Sequence, residues 1–128
     1  MNTFSIAIHG GAGTLVKGMM TAELENQYKA ALKEALDAGY SVLENGGTSV
    51  DAVKKSVVVL EDSHLFNAGK GAVFTADETH EMDASIMDGK NLNAGAVSLI
   101  SGIKNPISLA CEVMEKSEHV FLAGEGAM

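Results

Sequence analysis

The run Ala94-Gly95-Ala96-Val97-Ser98-Leu99-Ile100 most constrains what this chain can fold into. A half-buried strand alternates apolar and polar residues, whereas a near-continuous apolar run of this length fits a strand buried on both faces. The preceding "HEMDASIMDGKN" carries Asp88-Gly89, a strong turn pair, so the two stretches read as antiparallel strands with the second one central. Such a sheet needs a layer against each of its faces.

Helices are the available layers. Thr21 reads as an N-cap with Glu23 in the first turn, and Leu24, Tyr28, Ala31, Leu32, Ala35, Leu36 and Leu43 recur at helical spacing until Gly46-Gly47. Thr48 and Asp51 open a second helix whose apolar positions are Val50, Val53, Val57, Val58 and Leu60. Those residues are largely β-branched, so burial rather than propensity must hold the segment helical. In "NPISLACEVMEKS", Pro106 suits a first helical turn and Asn105 a cap. Phe4 to His9, the short apolar run Ala72 to Thr75 and the "HVFLAG" stretch read as further apolar strands, giving about five in all. These helices cover one face, and the other is expected to belong to another segment or a second chain. The last strand, running into Gly124-Glu125-Gly126, reads as interrupted, and the 128 residues as a single incomplete domain, 1–128.

The net charge of −8, from nine basic and seventeen acidic residues, argues against the basic footprint of a nucleic-acid binder and against a polybasic membrane contact. The lone Cys111 cannot form an intrachain disulfide and lies in a helical pattern, as a small buried apolar residue would. "MNTFSIAIHG" has neither a basic nor an apolar signal region, and no run reaches the ~18 apolar residues of a membrane span. The expectation is a cytoplasmic, soluble protein.

Chemistry concentrates in two stretches. "IHGGAGTL", residues 8–15, places three glycines in four positions after the first apolar run, which permits close approach of another group to the backbone. It meets neither G-x-G-x-x-G nor the phosphate-loop pattern. It matches the HGG-type oxyanion loop of esterases in part, but no G-x-S-x-G accompanies it. A tight structural turn, or a loop supporting a nucleophile from elsewhere, are the other readings. "LFNAGKGAVFT", residues 65–75, sets Asn67, with donor and acceptor capacity, among small and apolar neighbours. Its irregular backbone could turn several carbonyls toward one point, as a hard cation requires, or could be a turn held by its own side chain. His9, His64, His80 and His119 are scattered without metal-ligand spacing. Asp83 is read as inward-facing.

Taken together, "IAIHGGAGTL", "GTSVDAVKKSVVVLEDSHLFNAGKGAVFTADETHEMDASIMDG", "NAGAV", "KNPISLA" and "GEGA" resemble the plant-type asparaginase and isoaspartyl-peptidase family, in order over essentially the whole chain. The resemblance implies an α+β fold, the αββα sandwich of N-terminal-nucleophile hydrolases. It implies a precursor that cleaves itself, this chain being the α-subunit portion, and a β chain whose first residue, a Thr, is the nucleophile. The working unit implied is an (αβ)2 assembly acting on a small molecule or dipeptide, with no organic cofactor, no nucleic acid and no membrane. By the same resemblance, His9, Gly10 and Gly11 pack against the nucleophile and Asn67 lies beside it. The backbone carbonyls of Leu60, Glu61, Ser63, Phe66, Ala68 and Lys70 would bind a structural Na⁺. Lys70 stands where an apolar residue is frequent, a change that a backbone ligand tolerates. A glycosylasparaginase-type amidase, or an inactive assembly module derived from the family, are the alternatives.

Overall fold

The computed structural model describes residues 3–13, 18 and 20–128. The second half of the glycine-rich turn, including Thr14 and Leu15, lies outside the described residues. Two helices come first, α1 (Ala22–Glu44) and α2 (Ser49–Glu61). The strands β1 (Met82–Met87) and β2 (Ala94–Ile100) follow, then helix α3 (Pro106–Lys116) and the short strand β3 (Phe121–Ala123). None of the described helices is long and apolar enough to cross a membrane.

Local chemistry sets the helix ends. Thr21 Oγ1 accepts from the Leu24 N–H at 3.1 Å, and Thr48 Oγ1 does the same for Asp51 at 3.1 Å. Beyond Glu44 the chain turns through Asn45 into Gly46, whose φ of +81° is open to glycine without strain. The two helices cross where small residues meet. Ala35 and Ala52 are fully buried, and a Cβ on Gly39 would overlap the Ser56 hydroxyl.

The sheet order is β1-β2-β3, so β2 is central as expected, antiparallel to β1 and parallel to β3. Its two faces differ sharply. Ala84, Ile86, Gly95, Val97 and Leu122 share the face under α3, where Val97 and Ile100 are almost completely buried with Ile107, Ala110, Cys111 and Val113. Gly95 lets the helix approach, because a Cβ there would overlap the Ala110 carbonyl and meet Met114. Ser85, Met87, Ala96, Ser98 and Phe121 lie on the opposite face. Met87 and Phe121 there are 55% and 57% exposed, so no element among the described residues covers it.

Four sequence expectations are corrected. Phe4 to His9 is not a strand; it alternates half-buried Phe4, Ile6 and Ile8 with exposed Ser5, Ala7 and His9 but pairs with no strand among the described residues. Its apolar side chains lie on α1 instead, Phe4 against Tyr40 with ring centroids 5.1 Å apart and Ile6 over Gly39. A ladder needs a neighbour to take its N–H and C=O groups, and none is at hand. Ala72 to Thr75 is likewise no strand, with Val73 and Phe74 exposed, so the described residues hold three strands rather than five.

Asn105 forms no side-chain cap; its amide donates to Asp62 at 3.2 Å. Asp83 does not face the core. It sits at a bulge where Ser98 and Leu99 together oppose it, and its Oδ1 accepts from Ser98 Oγ at 2.6 Å and from the Leu99 N–H at 3.0 Å. These bonds hold Leu99 at φ +56°, a conformation that non-glycine residues rarely adopt.

Two outcomes follow from this packing. Gly95→Ala should destabilise the protein by roughly 3 kcal/mol through overpacking, read as a lower denaturation midpoint with an unchanged slope. The Ser98 hydroxyl, and after it the Leu99 N–H, hold the Asp83 carboxyl below its ordinary pKa. Its stabilising contribution is therefore complete above the ordinary carboxylate range and is lost as pH falls through the lowered value. Asp83→Asn should flatten the loss of stability with acidification in that window, and identical acid profiles would show the clamp to be idle.

Candidate functional site

The glycine turn and the Asn67 loop, distant in sequence, meet in space. Phe66 is buried and packs edge-on against Tyr28 of α1, with centroids 5.7 Å apart and planes at 78°. Gly10 lies on the same ring, where an added Cβ would come within 3.0 Å of Phe66 and 2.9 Å of Leu32. Glycine thus lets the backbone sit directly on this ring, and a larger residue would push Leu32 and Phe66 aside. At Gly11 glycine is favoured by conformation, with φ +104°. The Gly11 N–H donates to His9 Nδ1 at 3.1 Å, which assigns the proton of the neutral imidazole to Nε2. His9 is exposed.

Past Phe66 the chain presents Asn67 at the surface. Its Oδ1 accepts from the Val73 N–H at 3.0 Å, so the side chain closes the loop on itself and leaves the amide donors free to face outward. Here the orienting role and the turn role, open alternatives in the sequence, coincide in one bond. The backbone between curls tightly. Gly69 has φ +53° and a Cβ there would overlap the Glu61 carbonyl; at Gly71 it would overlap the Phe66 carbonyl and lie 3.0 Å from that of His64. The carbonyls of Phe66 and Ala68 accept backbone N–H groups from Ala68 and Gly71, and that of Leu60 from both Asp62 and Ser63. A carbonyl has two lone pairs, so those of Phe66 and Ala68 keep one. The Glu61, His64 and Phe66 carbonyls border the space that side chains on Gly69 and Gly71 would fill.

By charge alone Glu61 and Asp62 read as solvated loop residues, and the structure corrects this: their side chains anchor the loop. Glu61, the last residue of α2, is buried to 3% exposure and accepts from the Ile107 N–H of α3 at 2.9 Å. Loss of hydration raises its pKa, against the opposing pull of that N–H. Next to it, Asp62 pairs with Lys104 at 2.9 Å and takes the Asn105 amide; the Lys104 bond is the main cause of its lowered pKa. "LED" followed by "KNP" carries matching charges, but nothing in their spacing announces contact. Glu61, Asn67, Ala68, Gly69, Asp83 and Pro106 border one cavity of about 200 Å³.

These groups can bind and orient, and no activated nucleophile stands among them. Cys111 is buried away from the loop with its thiol pKa pushed up by burial, the opposite of a reactive thiolate. Among the described residues no three His, Cys, Asp or Glu side chains converge as metal ligands.

Residues 2–128 match the family of proteins described as asparaginase. The chain is 49% identical over 127 residues to an isoaspartyl peptidase of Salmonella typhimurium, covering 99% of this chain and 41% of that protein. It is 52% identical over 122 residues to an isoaspartyl peptidase/L-asparaginase of Xenopus laevis (95% and 38%). It is 50% identical over 124 residues to a plant-type L-asparaginase of Pyrococcus abyssi (97% and 39%). The chain thus spans about two fifths of the length of these relatives. With the match running across essentially every residue, the chain belongs to the asparaginase family that includes isoaspartyl peptidases and plant-type L-asparaginases.

Proposed function

We propose that this chain is the α part of an isoaspartyl peptidase/L-asparaginase that hydrolyses β-aspartyl peptides and L-asparagine. Its nucleophile is a Thr at the start of a β chain. The observation that carries this reading is the joining of the His9–Gly11 turn to the Asn67 loop through Gly10 and Phe66. Two surfaces assigned by resemblance to the neighbourhood of one nucleophile form one patch, whose described residues His9–Gly11 and Asn67 carry no hydroxyl or thiol nucleophile. The bare sheet face of Ser85, Ala96, Ser98 and Phe121 is where the second layer of an αββα sandwich would pack.

In the reaction, the Thr hydroxyl attacks the side-chain amide or isopeptide carbonyl and passes its proton to the Thr α-amine. The amine or ammonia leaves with a proton, giving a β-aspartyl ester that water hydrolyses. This chain supplies shape and orientation: the glycine turn lets the nucleophile's backbone come close, and the Asn67 amide, held by Val73, offers its free donors beside it. The partner is the β chain, and the assembly is (αβ)2.

The loop oxygens fit a structural Na⁺. The donor set consists of neutral carbonyls, which suit a hard monovalent cation, and Gly69 and Gly71 keep clear the space that a side chain would fill. Leu60, Glu61, Ser63, Phe66, Ala68 and Lys70 would hold the ion, which supplies charge to fix the loop and takes no part in bond cleavage.

The test is hydrolysis of β-Asp-Leu and L-asparagine by the full-length gene product, with Asn67→Ala alongside. Both substrates should be cleaved by the parent, and the variant should lose roughly a hundredfold in kcat/KM. Cleavage of N-acetylglucosaminyl-asparagine alone would favour the glycosylasparaginase-type alternative, and no hydrolysis at all the assembly module. For the ion, sodium chloride should raise the Tm above that in choline chloride of equal ionic strength by about a few degrees, and Gly71→Ala should abolish the difference. Equal Tm values in the two salts would remove the sodium site.

A further inference from the structure

The readings above use only the backbone carbonyl of Glu61, yet its side chain is placed where three parts of the structure join. Of the acidic residues it alone is in the buried core, at 3% exposure, and it ends α2 rather than lying in the loop. One carboxylate oxygen accepts from Ile107 in the first turn of α3; the other has no partner among the described residues. Since Asn105 makes no cap, the N-terminus of α3 is capped from a different helix. On its other side, Glu61 is the floor under Gly69: a Cβ on that glycine would overlap the Glu61 carbonyl and come within 2.7 Å of the Glu61 Cβ. Gly69 stands two residues beyond Asn67, and Glu61, Asn67, Gly69 and Pro106 wall the same cavity.

We infer that the Glu61 side chain is the positioning residue for Asn67. Seated on the Ile107 N–H, the carboxylate fixes the end of α2 against α3, and the end of α2 fixes the turn at Gly69 that aims Asn67. The neighbouring Asp62–Lys104 pair, largely exposed, contributes little by comparison. Among the described residues the side-chain bond that holds Asn67 is the one to Val73, so that N–H reports its position. What Asn67 does once positioned rests on the proposed function; the positioning does not.

The experiment is residue-resolved amide exchange on the full-length protein with Glu61→Ala and Glu61→Gln, together with kcat and KM. Val97, in the core strand, serves as the reference amide. Glu61→Ala should speed exchange at both Ile107 and Val73 by about tenfold or more while Val97 keeps its protection, and should lower kcat with little change in KM. Glu61→Gln, whose amide oxygen can still accept from Ile107, should restore both. Faster exchange at Ile107 with Val73 unmoved would overturn the inference, reducing Glu61 to a cap for α3. So would a uniform loss of protection that includes Val97 in both variants, since Glu61 would then merely support the fold. Should the alanine variant not fold, Glu61→Met, which keeps the volume and removes the acceptor, takes its place with the same expected pattern. A parent protein without hydrolytic activity would remove the proposed function, and the exchange result would still decide the positioning.

Discussion

Helix α3 packed on the central strand is the contact on which the rest of the structure depends. Val97 and Ile100 are buried to 1% or less beneath it, and Gly95 brings the helix backbone close enough for that burial to be dense. Burial on this side fixes which residues stand on the other, because a strand alternates its side chains. Ala96, Ser98 and Phe121 are thereby displayed with no cover among the described residues. Small and apolar side chains on an exposed sheet face are suited to packing against a second sheet. A structure with one dense layer contact and one bare face is the geometric counterpart of a family whose members are more than twice this chain's length.

The same helix also serves the site. Its first turn receives Glu61, its approach segment receives Asp62 through Lys104 and Asn105, and so the end of α2 is held against it. From that point the loop rises through Phe66, which docks on α1 and on Gly10, and reaches Asn67 at the surface. Core packing, helix capping and site geometry thus form one chain of contacts. A change of acceptor at Glu61 and a change of volume at Gly95 both act on α3, from opposite ends.

Much of this was legible because it is local. Thr21 and Thr48 cap their helices through their own hydroxyls, Gly46 ends the first through its positive φ, and Asp88-Gly89 lies in the connection that turns β1 back onto β2. Asn67 and the glycines around it stood out for the same reason, their conformational freedom being written in residue type. What the sequence hid depends on partners far along the chain. Asn105 looked like a cap until Asp62 claimed its amide; Asp83 looked inward but alternates with Ser85 and Met87 onto the open face, where it bonds Ser98 and Leu99. Glu61 ended a helix without any sign that it would cap another. Phe4 to His9 kept the alternation of a strand and lacked the neighbour that makes one.

The central claim is that this chain is one part of a two-part enzyme whose second part begins with Thr. A denaturing intact-mass spectrum of the purified full-length gene product, with N-terminal sequencing of every species, tests it most directly. Two polypeptides are expected, one carrying this sequence and one beginning with Thr. A single uncleaved polypeptide, or a second one beginning with any other residue, would contradict it.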